Sequence, residues 1–187
     1  MSRKNVILSL FAVLVIVQLA VPLSMINQRE MTLREGVRYK FRTAPVDPAD
    51  AFRGRYVALQ IEQQNVAVPE GAALASGQKA CAVLENDDAG FARIRQLTAD
   101  RPRGNASIPV TISYLYGTNA HIQVPFDRYY MSEYRAPQAE SAYWSASRRT
   151  NQTAHVTVRV LDGFAVLEEL YIDDIPIKEF LKREAKK

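Results

Sequence analysis

The sequence predicts a β-rich α+β domain, an antiparallel sandwich or open barrel with one or two short helices, behind a single N-terminal transmembrane helix. Three observations carry this. An uncharged apolar run fills residues 6–23; about eight short stretches of alternating polarity follow it; and helix-period segments are confined to two places. With so few helices no βαβ series is visible, so a parallel doubly wound sheet is not expected. The 187 residues suit one folded domain, and 24% charged with 48% apolar residues excludes disorder as a class.

The apolar run is VILSLFAVLVIVQLAVPL, with Ser9 and Gln18 as its polar members. As a helix it measures about 27 Å, just enough for a hydrocarbon core. Residues 1–5 form a short basic tail carrying Arg3 and Lys4, 6–24 the anchor, 25–36 a polar connector and 37–187 the β-rich domain. A cleaved signal peptide would need small residues at the last and third-last positions, and Gln18 or Pro22 occupies the latter in the available frames. A retained signal anchor is therefore expected, with Pro22 at its exit end. The short N-tail predicts a cytoplasmic N-terminus, which places the domain on the periplasmic or extracellular side of the cell inner membrane.

Each β element rests on period two. Val37, Tyr39, Phe41 and Thr43 alternate with Arg38, Lys40 and Arg42. Residues 44–48 form a turn in which Asp47 before Pro48 caps one helical turn. A strand over 55–63 aligns Val57, Leu59 and Ile61. Residues 79–85 and 91–97 make a hairpin through Asn86–Gly90. Ile108, Val110, Ile112, Tyr114 and Tyr116 alternate, and Ala120, Ile122 and Val124 return after Gly117. A short helix is expected at 137–148. Strands 154–160 and 164–172 meet at Asp162-Gly163, where a type I′ turn needs positive φ at both positions. A charged helix over 177–187 closes the chain, with Phe180 and Leu181 as its apolar contacts.

The sequence carries few residues in a pattern that points to catalysis or metal binding. One cysteine, Cys81, excludes an internal disulfide and any multi-thiolate zinc site; its apolar neighbours predict a small buried hydrophobe. His121 and His155 fall in predicted strands without ligand-spaced partners. No nucleophile elbow, Walker loop or dinucleotide fingerprint occurs. Neither catalytic residue, metal nor cofactor is expected. The net charge of +4 is dispersed, so a nucleic-acid surface is not expected either.

Two polar clusters stand out. The first holds Asp47, Asp50, Arg53, Gly54, Arg55 and Tyr56. Its carboxylates and guanidiniums can build a small-ligand or hydrolytic site; the alternative is structural, with Asp47 capping, Asp50 pairing Arg53 or Arg55, and Gly54 supplying an unusual φ. The second runs through Asp127, Arg128, Tyr129, Tyr130 and Glu133, and suits a protein interface. Gly54-Arg55-Tyr56-Val57 and Asp127-Arg128-Tyr129-Tyr130 echo one another faintly. Tyr56 is expected to point away from Val57, Leu59 and Ile61, with its hydroxyl reaching Asp47 or Asp50.

At these clusters the sequence resembles the GDYXXLXY family. Gly54, Tyr56 and Leu59 fit the name-giving motif, and Asp47 and Asp50 fit the stretch before it. Arg55 stands where the family has aspartate and Ile61 where it has the last tyrosine. Arg128, Tyr129, Tyr130 and Glu133 resemble the later segment, without the glycine expected after the glutamate. Ala165-Val166-Leu167 and Ile172-Asp173 resemble its end. The resemblance implies a membrane-anchored bacterial envelope protein of unassigned activity, often encoded near multi-pass membrane proteins, and a multi-pass membrane protein is the partner expected here. The expectation is thus a non-enzymatic, partner-binding protein; an envelope enzyme or small-ligand binder using the first cluster is the alternative.

Overall fold

The computed structural model describes residues 3–44, 56–69, 71–102, 106–147 and 154–185. Helix α1 (Arg3–Glu35) is followed by β1 (Val37–Ala44), β2 (Tyr56–Ala58), β3 (Gln60–Ile61), β4 (Asn65–Ala67), β5 (Lys79–Asn86), β6 (Ala92–Thr98), β7 (Ser107–Tyr116), β8 (Asn119–Gln123) and β9 (Arg128–Tyr130). Then come α2 (Ala136–Ser147), β10 (Ala154–Leu161), β11 (Phe164–Ile172), β12 (Ile175–Pro176) and α3 (Ile177–Glu184).

By length and composition α1 is able to cross a membrane. It does not stop at the apolar run. Pro22, read from sequence as the exit end, lies inside the helix. A proline there removes one backbone donor; nearby, Ser24 Oγ donates to the Val21 carbonyl at 2.7 Å. The polar connector, whose sequence leaves helix continuation open, extends α1 to Glu35, and this end of the helix packs on β10 and β11. Thr32 is fully buried there, and its hydroxyl donates to the Gln28 carbonyl at 2.9 Å. Gly36 then turns the chain into β1. Its amide donates to the Thr32 carbonyl at 3.0 Å, and a Cβ at this position would collide with that same oxygen.

The body is the expected β-rich fold. One five-stranded sheet has the order β12-β11-β10-β1-β3, a second β4-β8-β7-β5-β6, and β2 and β9 form a two-stranded ribbon. Every described pairing is antiparallel. β4 and β6, the edges of the second sheet, lie beside each other, which rolls that sheet into a nearly closed barrel. Val57, Ile108, Ile112, Ile122, Val156, Val158, Leu170 and Ile172 fill the core between the layers. Asp162 and Gly163 adopt φ of 48° and 72°, as the type I′ turn requires.

Three differences from the sequence reading have physical causes. The single strand expected over 55–63 is two short strands in different layers. β2 pairs with β9, a ladder that the Leu59 amide extends by donating to the Asp127 carbonyl at 2.8 Å, and beyond Leu59 the chain leaves β9 so that β3 pairs with β1. Strands β4, β9 and β12 are two or three residues long, too short to show a period. Cys81 is half-buried rather than enclosed: alternation along β5 puts it on the face opposite Ala80 and Ala82, level with Thr98 and Pro109. Desolvation pushes its thiol pKa up, which disfavours the nucleophilic thiolate.

Candidate interaction ribbon

Tyr56, the last residue of the first sequence cluster, meets the second cluster in the β2–β9 ribbon. Tyr56 faces Tyr130, Val57 faces Tyr129 and Ala58 faces Arg128. Of the two echoing stretches, Tyr56-Val57 and Arg128–Tyr130 lie in this antiparallel pair. Alternation sorts the side chains. Val57 and Tyr129 are buried, whereas Tyr56, Arg128 and Tyr130 face outward, Tyr130 with 63% of its surface exposed. Tyr56 does point away from Val57, Leu59 and Ile61, all of which are buried.

On the outer face the rings of Tyr56 and Tyr130 meet edge to face at 5.8 Å. The Arg128 guanidinium carbon lies 5.1 Å from the centre of the Tyr56 ring, within cation–π range. Its Nε is 3.6 Å from the Asp127 carboxylate. The result is a small aromatic patch with one stacked cation, a composition enriched at protein interfaces.

On the inner face the Tyr129 hydroxyl donates a short hydrogen bond to Glu169 of β11, which also accepts the Leu170 amide at 3.1 Å. Burial raises the Tyr129 pKa, and the bond to Glu169 raises it further. This phenol–carboxylate bond pins the ribbon to the first sheet. Glu169 was not singled out from sequence. The register between β10 and β11 slips between Thr157 and Val158, which leaves Glu168 as an extra residue beside Glu169. The bulge frees neighbouring acids for different tasks: Glu168 binds Arg38 at 2.7 Å and Arg159 at 3.1 Å, while Glu169 binds Tyr129. Two adjacent acids in an otherwise alternating strand were the only available sign.

The other predicted site residues divide. Leu59 is buried behind the ribbon. Glu133 is exposed in the turn between β9 and α2, outside the ribbon ladder. Asp47, Asp50, Arg53, Gly54 and Arg55 lie outside the described residues, as does the expected contact of Tyr56 with Asp47 or Asp50.

The histidines are held by aromatic rings. His121 stacks on Tyr114 at 4.8 Å and shares a 3.0 Å hydrogen bond with Asn65. His155 is buried, parallel to Tyr171 at 4.9 Å and edge-on to Phe91 at 5.7 Å. Desolvation lowers the His155 pKa, opposed by Asp174 and assisted by Lys40. Among the described residues no group of three His, Cys, Asp or Glu side chains is placed to hold a metal. A cavity of about 340 Å³ lies beside Ile94 and one of about 690 Å³ between α2 and α3; neither is lined by a ribbon residue.

Fold and ribbon together define a class: a β-sheet body fixed to a long apolar N-terminal helix and carrying an outward aromatic ribbon. The family model described as GDYXXLXY protein matches residues 18–170, and the chain belongs to that family. The match begins inside α1 and runs through most of β11. No curated protein and no solved structure matches the chain.

Proposed function

We propose that this is a non-enzymatic, single-pass envelope protein whose domain binds a multi-pass membrane protein through the outer face of the β2–β9 ribbon. Its α1 helix anchors it in the cell inner membrane, N-terminus cytoplasmic, with the domain on the periplasmic or extracellular side. The observation that carries the reading is the pairing of Tyr56–Ala58 with Arg128–Tyr130, about 70 residues away in sequence, in which Val57 and Tyr129 serve the core while Tyr56, Arg128 and Tyr130 face outward. Tyrosine and arginine dominate binding hot spots, because each buries a large area at small entropic cost. The rigid entry of α1 into the body at Thr32 and Gly36 supports a partner in the same membrane, since it fixes the domain's position relative to the helix.

The test is purification of the full chain from membranes in mild detergent, alongside a Tyr130→Ala, Arg128→Glu double variant. The proposal expects one multi-pass protein to co-purify in constant ratio with the native chain and to be lost from the variant. A native chain that purifies alone, or a partner retained by the variant, would overturn it. Intact mass of the extracted protein checks the anchor, and a mature chain beginning between Val21 and Asn27 would refute its retention.

A further inference from the structure

Pro22 leaves a polar notch in the apolar part of α1. In an α-helix the amide of residue 22 bonds the Gln18 carbonyl; proline has no N–H, so that carbonyl loses its helical donor. The side chain at the same position is the Gln18 carboxamide, exposed and without a hydrogen-bond partner among the described residues. Ser24, two residues beyond Pro22, turns its hydroxyl back onto the Val21 carbonyl, so the helix mends a neighbouring position and not this one. Gln18 thus presents two N–H donors and two acceptors, its amide oxygen and its main-chain oxygen.

The notch lies at hydrocarbon depth. Gln18 stands within the uncharged run of residues 6–23, roughly 5 Å along the axis from its middle. Water does not satisfy a backbone group there, so a carbonyl freed by proline is met by a neighbouring helix or a polar side chain. The notch also has a direction. At about 100° per residue, Gln18 lies between Thr32 and Leu33 around the axis, about 40° from the first and about 60° from the second. Thr32 is buried against the body and Leu33 is half-buried, so the notch faces the side on which the body docks. A second copy joined at the notch by a two-fold axis would bring its own body to that same side, where the first already stands. A helix of a different membrane protein fits beneath the body without that conflict.

We propose that Gln18 and Pro22 form the contact of α1, inside the membrane, with a transmembrane helix of the partner that presents a hydroxyl at this depth. A serine or threonine hydroxyl closes both halves of the notch. Its O–H donates to the Gln18 main-chain carbonyl, and its oxygen accepts an N–H of the carboxamide. A charged side chain is a poorer match, because its desolvation at this depth is far more costly. The inference rests on α1 being the retained membrane anchor and adds to that reading the partner's element and its chemistry. It does not depend on the ribbon.

The test reconstitutes the full chain, donor-labelled at its N-terminus, in vesicles of phosphatidylethanolamine and phosphatidylglycerol. The probes are two acceptor-labelled, leucine-rich transmembrane peptides, one with a single Ser at the depth of Gln18 and one with Ala there. Energy transfer reads their association with α1. The Ser peptide should associate about tenfold more tightly than the Ala peptide, equivalent to about 1.4 kcal/mol. Gln18→Leu removes the carboxamide, and Pro22→Ala restores the missing N–H. Each should cut the preference to about threefold, and the double variant should abolish it. The Tyr130→Ala, Arg128→Glu variant should keep the full preference, which separates a failure of the ribbon from a failure of the notch. Equal association of the two peptides with the native chain, or an undiminished preference in either single variant, would overturn the proposal. Energy transfer between donor- and acceptor-labelled copies of the chain that Gln18→Leu abolishes would assign the notch to a second copy and overturn it as well. An intact mass showing residues 1–20 removed from the membrane-extracted chain would overturn the anchor and this inference together.

Discussion

The junction between α1 and the body and the β2–β9 ribbon are attached to the same sheet in opposite ways. At the junction Gly36 is pressed between the Thr32 carbonyl and the Val160 backbone, Thr32 is fully buried, and Arg159 donates to the Gly36 carbonyl at 2.9 Å. Arg38 adds a two-pronged bond to Glu168, each prong 2.7 Å long. The ribbon is held by its buried face and by the bond of Tyr129 to Glu169, while its outer face carries side chains that the core does not need. A region fixed by backbone contact has no room for change; a region fixed by one face leaves the other free for recognition.

The largest effect that would break this contrast belongs to Gly36. In Gly36→Val the new Cβ meets the Thr32 carbonyl oxygen and lies 3.2 Å from the Val160 backbone, none of which is the flexible end of a side chain. We expect a loss of about 3 kcal/mol, the upper end for overpacking, read by urea unfolding of the detergent-solubilised chain. A loss below about 1 kcal/mol, the average for any substitution, would show that the junction gives way.

Tyr129→Phe comes next. It removes the donor to a half-buried carboxylate and leaves the ring in place, so about 2 kcal/mol should be lost, the cost of an unmade bond to a charged group. The same bond predicts a pH dependence. The folded-state pKa of Tyr129 is raised above 10, so its contribution is fully present below pH 10 and lost as pH rises through the folded value. Thermal melts of native chain and Tyr129→Phe above pH 10 should therefore converge. Parallel curves would assign the cost to packing.

His155 sharpens the comparison from the acid side. Its pKa is lowered from 6.5 by burial, so the unfolded chain binds the proton more tightly. Its stabilising contribution is present above pH 6.5 and declines as pH falls toward the folded value. His155→Gln should flatten the stability profile below pH 6.5. A variant that keeps the native slope would show that other groups carry it.

How much of this was legible in the sequence differs between the regions. Long strands announced themselves: Val156, Val158 and Val160 alternate, Asp162-Gly163 marks the turn, and both features are present in the structure. The apolar run of α1 was equally plain. Its docking was not, since Thr32 and Gly36 act through backbone closeness that no pattern of polarity encodes. The ribbon was visible as two clusters but not as a pair. A three-residue strand has too little period to reveal itself, and the partner lies about 70 residues away. Glu169 was hidden by a bulge.

The smallest stability effect is expected on the ribbon's outer face, and there the comparison is decided. Tyr130 is 63% exposed and its contacts run along the surface, edge to face with Tyr56 at 5.8 Å. An exposed aromatic pair is worth at most about 1 kcal/mol, and much of the Tyr130 ring is already in water. Tyr130→Ala should therefore change stability by about 0.5 kcal/mol or less. Arg128→Ala should behave alike, because its stack on Tyr56 and its 3.6 Å approach to Asp127 are both exposed to solvent. Binding should respond in the opposite sense, since truncating a central tyrosine or arginine at an interface costs about 2 kcal/mol or more, roughly thirtyfold in affinity. The measurement pairs urea unfolding with recovery of the co-purifying membrane protein for each variant. Loss of partner with stability intact is the signature of a recognition face. If instead Tyr130→Ala destabilises the domain as much as Tyr129→Phe, the outer face is structural and the division between the two sides of the ribbon fails.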